Sequence, residues 1–399
     1  MATTPNSRLA PPVRRMDERM DRRGAVCIYT PGLTAGNITL KRRCYGNCMQ
    51  QRLNPSTTSA GPATSLPSLS DRLHRLDAAR WLAALAVVLL HCAAQAVSDA
   101  DAYGSKDWLA ANLYDSAVRW CVPVFVMVSG ALMLDRAKPL DAREFYARRA
   151  ARICAPLVFW TLFYLTWRSL LDWWDVGLMD FSFWPRKIAE GAPYYHLWYL
   201  YMIVGLYLFT PMIRALYHRS QPAARRLWVA GILGIAILDG LYRQALDTGQ
   251  GFFLTWFLPY LGYFVAGRMI YDGELRIPRP GLVLILSVLA TAWGVVTLSE
   301  AGNLNLYFYD YFSITVPFMS LAAFQWIMNT PRLPSLSTLA PLTFGVYLIH
   351  PLFLDLADRA GPAITHTAWN LPLQTLAVFG LSAACCWLLR RHPATRKLV

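Results

Sequence analysis

The sequence predicts an all-α integral membrane protein of about ten transmembrane helices, with its N-terminus and C-terminus both cytoplasmic. Three observations carry this. The 399 residues are 55% hydrophobic and only 16% charged, too apolar and too sparsely charged for an ordinary soluble domain. Apolar stretches of about 18 to 22 residues recur from Ala78 onward, each long enough to cross a bilayer. Lys and Arg also fall on alternate connections. The windows 72–80, 135–152, 214–227, 268–280, 330–340 and 390–399 hold 21 of them, against 5 in the windows 97–111, 173–195, 239–252, 299–306 and 358–370. The richer side is the cytoplasmic one by the positive-inside rule.

Taken in order, residues 1–70 come first as a separate region. They are rich in Pro, Ser, Thr, Gly and Arg without an apolar period, and such a composition predicts a disordered basic tail. No apolar core follows the early arginines as a secretory signal requires. Met20 or Met49 could serve as the start, and the Asn37-Ile-Thr39 sequon has no consequence in a cytoplasmic tail. Residues 71–399 then form the membrane domain, with spans expected near 79–97, 113–134, 153–172, 196–213, 227–245, 252–271, 281–299, 307–328, 338–357 and 371–390. The fifth and sixth are separated only by the short connection around Gly249-Gln250-Gly251. The loop 173–195 combines Trp173, Trp174, Trp184, Tyr194 and Tyr195 with Asp175, Asp180 and Glu190. It reads first as an interfacial aromatic belt and second as a sugar-stacking surface.

The net charge of +14 does not signal nucleic acid. Residues 1–80 carry 13 Lys/Arg and 5 Asp/Glu, so +8 of it belongs to that segment; most of the rest flanks spans, with no basic stripe interleaved with aromatics. Of the eight cysteines, Cys92, Cys121, Cys154, Cys385 and Cys386 lie in apolar segments and read as small core residues. Cys44 and Cys48 in the tail lack nearby partners for a metal site.

The ionisable residues inside these spans stand out, because each is costly to keep in a bilayer. Arg80 and His91 share the first span with ten residues between them. Eleven steps of about 100° bring them to within about 20° of one face, about 16 Å apart along the axis. Arg119 enters the second span from the outer side, with Asp115 one turn away as a structural partner. His196 and Trp198 open the fourth span, and His350 lies in the outer half of the ninth. Asp310 and Asp355 lie near the outer ends of the eighth and ninth. Polar groups from several spans thus share the outer half, and facing one cavity they would constitute a site. The bland alternative for a single histidine is a hydrogen bond to a neighbouring helix. On the cytoplasmic side Arg149 and Arg152 lie three apart on one helical face before the third span. Lipid headgroups explain most such clusters, while paired guanidinium forks also suit a phosphorylated ligand.

At these residues the chain resembles the acyltransferase-3 family of integral membrane acyltransferases. The matching features are Arg80-x10-His91, Arg149-x-x-Arg152 and Val122-Pro-Val-Phe-Val-Met-Val-Ser-Gly130. His196-Leu-Trp-Tyr-Leu200 and Tyr347-Leu-Ile-His-Pro351 also fit. The resemblance covers about residues 74–390 and is nearest to the branch that O-acetylates cell-envelope glycans, including enterobacterial common antigen. It implies a bacterial inner membrane, an acetyl-CoA (acyl-CoA) co-substrate reaching the protein from the cytoplasm and a glycan or lipid-linked saccharide acceptor. Carried onto this chain, Arg149 and Arg152 would hold the phosphates of CoA, and Arg80 would extend that contact or line the path inward. His91 would be the general base, with a covalent acyl-histidine left open. Arg119, or His350 as a donor, would stabilise the oxyanion. His196, Trp198 and Asp310 would meet the acceptor. Ser129 beside Gly130 reads as a close-packing position before a nucleophile. No cluster with metal-ligand spacing occurs, so a metal-free reaction is expected.

Two rival classes remain. A transporter of a polar solute or envelope precursor also uses buried charges, but carriers often show repeats or matched helix breaks, and none relates spans 1–5 to 6–10. A scaffold subunit would not require Arg80 and His91 in register.

Overall fold

The structure is a computed structural model and describes residues 27–34, 37–44, 68–135, 141–246, 255–331, 333, 336–360 and 367–399. The chain divides into two units, 1–65 and 66–399. In the first, β1 (Cys27–Thr34) and β2 (Asn37–Cys44) pair antiparallel, with Cys27 opposite Cys44 and Thr34 opposite Asn37. Ile28, Tyr29, Thr30, Ile38 and Thr39 favour the extended backbone. Of the rest of the expected tail, Ser68–Ser70 already cap and begin the first helix, and the remainder, Cys48 included, lies outside the described residues, as does the junction at Gly249-Gln250-Gly251.

The second unit is helical. In order it contains α1 (Leu69–Val97), α2 (Lys106–Val118), α3 (Cys121–Met133), α4 (Ala142–Val176), the short α5 (Trp184–Ala189), α6 (Trp198–Arg219), α7 (Pro222–Leu246), α8 (Phe257–Asp272), α9 (Pro280–Leu298), α10 (Val316–Asn329), α11 (Thr343–Ala360) and α12 (Thr367–Leu389). The starts are set by local chemistry. Ser68 and Asp71 form a capping box on α1, Ser105 accepts from the Trp108 N–H on α2, and Asp141 accepts from the Arg143 and Glu144 N–H groups on α4. Each satisfies backbone donors that the first turn leaves unpaired. At its far end α4 stops at Gly177, whose φ of 76° is the left-handed conformation that favours glycine.

Among the described residues, eight helical segments are long and apolar enough to cross a membrane, with α2 and α3 counting as one. The expected second span is therefore a broken helix, interrupted at Arg119-Trp120. Pro123 explains the break: it has no N–H to give the carbonyl four residues earlier, and its ring crowds that carbonyl, which belongs to Arg119. The expected sixth and eighth spans differ from expectation. They are α8 and α10, of 16 and 14 residues, about 24 and 21 Å long against a hydrocarbon core of about 30 Å. Most of their residues are buried within the bundle. The eighth starts later than expected because Tyr307–Tyr309 forms a 3-10 turn and the helix begins only at Val316-Pro317.

Two glycines bring α3 against α8. A Cβ on Gly130 would run into the carbonyl of Phe264, and one on Gly267 into the carbonyl of Met127. Such reciprocal small-residue contacts let helix backbones approach where lipid and protein are equally apolar. Large side chains on the periphery point outward, among them Leu282, Ile285, Leu289 and Trp293 of α9 and Leu373, Leu376 and Leu388 of α12. A contiguous apolar exterior of this kind suits lipid contact.

Candidate active site

One cavity of about 1040 Å³ lies in the bundle, lined by residues of α1, α3, α4, α6 and α11. It is at the upper end of the range of roughly 300–1,000 Å³ for small-molecule sites. One part is basic, lined by Arg148, Arg149, Arg152, Arg214, Arg390, Arg396 and Lys397; Asp77 is the sole acidic side chain among the described lining residues. The other part is aromatic and imidazole-rich, lined by His91, His196, Trp198, Tyr199, Tyr311 and Tyr347.

Arg80 and His91 both line it, as their shared helical face requires. Arg80 is paired with Asp77 at 3.0 Å, one turn back on α1. The Arg149 guanidinium lies over the rings of Phe145 (5.5 Å) and Tyr207 (5.3 Å), and Arg148 pairs with Glu144 at 2.5 Å. Aromatic faces thus hold Arg149 in position, and no carboxylate among the described residues pairs with Arg149 or Arg152.

Three histidines from three helices or their edges converge. His91 of α1 stacks on His350 of α11 with ring centroids 5.3 Å apart, and His196, just before α6, meets His350 edge-on at 5.6 Å. His350 is fully buried and His196 nearly so. Local sequence orients His350. Pro351 interrupts the hydrogen-bond ladder of α11 and has no N–H for the carbonyl of Tyr347. His350 Nδ1 lies 2.8 Å from that carbonyl and 3.1 Å from the carbonyl of Val346. Carbonyls only accept, so Nδ1 carries the hydrogen and Nε2 bears the lone pair. Nε2 has no hydrogen-bond partner among the described residues. As a neutral ring His350 therefore has no N–H left for an oxyanion, which does not suit it to the donor role expected of it.

The remaining expected residues divide. Trp198 lines the cavity beside Tyr260 (6.0 Å) and Tyr311 (5.8 Å). Arg119 does not line it. Its guanidinium is ion-paired to Asp115, donates to the Tyr309 carbonyl at 3.2 Å and lies 3.9 Å from the centre of the Tyr309 ring. These contacts tie the end of α2 to the 3-10 turn Tyr307–Tyr309. Asp310 also lies off the cavity; its carboxylate accepts from the Phe312 N–H at 2.7 Å and stabilises a turn. Ser129 lines the wall beside Gly130.

The loop 173–195 spends most of its charge on itself and its neighbours. Asp175 makes a two-pronged contact with Arg359 of α11 (2.8 and 2.7 Å), and Asp180 accepts from the Ser182 N–H. Glu190 pairs with Lys187 and Arg186, whose donors hold its carboxyl below the usual carboxylate range. Its end is different: Tyr195 packs on His91 with centroids 4.9 Å apart, and Tyr194 donates to Asp355 at 2.6 Å, where Trp167 also donates at 2.8 Å. Sequence reasoning placed Tyr195 in an aromatic belt and missed its contact with His91, because the two are 104 positions apart. It equally missed Arg390, Arg396 and Lys397 as lining residues. The Asp77–Arg80 spacing was a legible signal for that pair.

Among the described residues, no group of three or more His, Cys, Asp or Glu is placed to hold a metal ion. No curated protein and no solved structure matches the chain. The acyltransferase domain of the acyltransferase-3 family matches residues 73–391, which contain all but the last residues of this cavity, and the chain belongs to that family of membrane acyltransferases.

Proposed function

We propose that the protein transfers an acyl group, acetyl in the simplest case, from cytoplasmic acyl-CoA to a hydroxyl of a cell-envelope glycan at a bacterial inner membrane. The observation that carries this reading is the single cavity joining Arg148, Arg149 and Arg152 to His91. Guanidinium forks bind phosphate oxygens in pairs, so a donor held there would extend its thioester arm toward the imidazoles.

In this mechanism neutral His91 accepts the proton of the acceptor hydroxyl as its oxygen attacks the thioester carbonyl. The tetrahedral intermediate collapses, the C–S bond breaks, and the CoA thiolate leaves and is protonated by the imidazolium. The new ester retains the acyl group, and charge and protons balance without a further reactant. His350, packed on His91 and locked to its own helix, holds the His91 ring in place. Trp198 and Tyr199 supply apolar faces to the acceptor, as sugar-binding walls do. Arg119, committed to Asp115 and Tyr309, anchors the end of α2 to the 3-10 turn at Tyr307–Tyr309.

Mass spectrometry of envelope glycans from cells with and without the protein tests this. A loss of one acyl mass per repeat on deletion is the expected result. Unchanged glycans together with altered solute uptake would overturn it in favour of a carrier.

A further inference from the structure

The C-terminal segment after α12 lies beyond the family-matched residues, which end at 391, yet it returns to the cavity. A 3-10 turn, Thr395–Lys397, packs against α4, the helix that bears Arg148, Arg149 and Arg152. Two hydrogen bonds fix Leu398 and Val399: Trp160 Nε1 of α4 donates to the Leu398 carbonyl at 2.8 Å, and Arg390 donates to a terminal oxygen of Val399 at 3.3 Å. Val399 is buried against Gly345 of α11. Arg396 and Lys397 are thereby presented to the cavity, where both are lining residues. No carboxylate among the described residues pairs with either.

The same stretch also holds a cation that does not border the cavity. Arg391 does not line the cavity and lies over the ring of Trp387, 3.6 Å from its centre, on the outer surface of α12. Arg390, next to it, turns inward. Arg396 and Lys397 are exposed like Arg391 but border the cavity as Arg391 does not, and they add positive charge to a wall that already carries Arg149 and Arg152. Uncompensated cations crowded in one cavity repel each other; a polyanion bound among them removes that cost.

We infer that Arg396 and Lys397 are ligand-binding residues that complete the grip on the phosphate groups of the acyl donor, a multiply phosphorylated nucleotide thioester. This deepens the proposed acyl-CoA reading and rests on it. The segment adds to the donor site from outside the family-matched residues, and it acts on donor affinity without entering the chemistry.

The test uses the full chain in nanodiscs of phosphatidylcholine alone, so that no anionic headgroup competes. CoA binding and donor kinetics are compared for wild type, the double variant Arg396→Ala/Lys397→Ala and the charge-preserving variant Arg396→Lys/Lys397→Arg, with thermal stability measured in parallel. The inference expects the alanine variant to raise the donor KM and the Kd for CoA by about tenfold or more. It also expects kcat and melting temperature to be unchanged and the charge-preserving variant to recover most of the affinity. Unchanged CoA affinity in the alanine variant, beside a wild type that binds CoA, overturns this inference alone. An effect that appears only when phosphatidylglycerol is added overturns it in favour of headgroup binding. A wild type that binds no CoA overturns both this inference and the donor on which it rests.

Discussion

His91 and His350 stack face to face, their ring centroids 5.3 Å apart and their planes inclined by 24°, although they lie on the first and eleventh helices of the membrane unit. His350 is locked by two carbonyls of its own helix and exposed to nothing, whereas His91 lines the cavity. The pair thus consists of one fixed imidazole and one accessible one.

That asymmetry separates their roles in an assay. His91→Ala is expected to lower kcat by about 10² or more, the usual contribution of a general base, with membrane insertion and the donor KM unchanged. His350→Ala is expected to lower kcat by less. Transfer at the wild-type rate in the His91 variant would remove it from the chemistry.

Tyr195 also packs on the His91 ring, tilted, at 4.9 Å while remaining 45% exposed. An aromatic pair contributes about 0.5–1.5 kcal/mol beyond simple burial. Tyr195→Ala should therefore lower kcat/KM for the acceptor by a few-fold to about tenfold, while Tyr195→Phe should keep nearly full activity. Equal losses in both variants would assign the effect to the hydroxyl and not to the ring.

Asp115 is buried opposite Arg119, at the break that Pro123 imposes. Removing one member of a buried pair strands the other, at a cost of about 3–5 kcal/mol. Asp115→Ala should thus sharply reduce folded yield and melting temperature in detergent. The double variant Asp115→Ala/Arg119→Met should recover much of the loss, since no charge is left stranded. A double variant as unstable as the single would show that the pair is not the relevant contact.

Gly130 and Gly267 seat α3 and α8 backbone to backbone. Gly130→Val forces those backbones apart, and overpacking of this kind costs about 1–3 kcal/mol. Gly231 of α7 has nothing within 4 Å of where its Cβ would sit, and Gly231→Ala should be neutral or gain up to about 1 kcal/mol of helix propensity. Thermal unfolding monitored by size-exclusion chromatography reads both. Two variants of equal stability would contradict the close approach.

The amino-acid sequence by itself determined what depends on neighbours along the chain. Apolar length marks the helical segments, and helical period places Arg80 and His91 on one face and Arg149 near Arg152. One-turn spacing gives Arg119 its partner in Asp115, and Pro123 and Pro351 fix where ladders fail. Tertiary structure alone decided which helices meet. Hydropathy does not distinguish a lipid-facing segment from one enclosed by protein, because both environments are apolar; α8 and α10 therefore read as spans of ordinary length and fold as short, buried helices. The convergence of His91, Tyr195, His196 and His350, and the return of Arg396 and Lys397 to the basic wall, depend on contacts between residues far apart in the chain. Such contacts arise from the packing of whole helices and leave no period or spacing in the chain to be read.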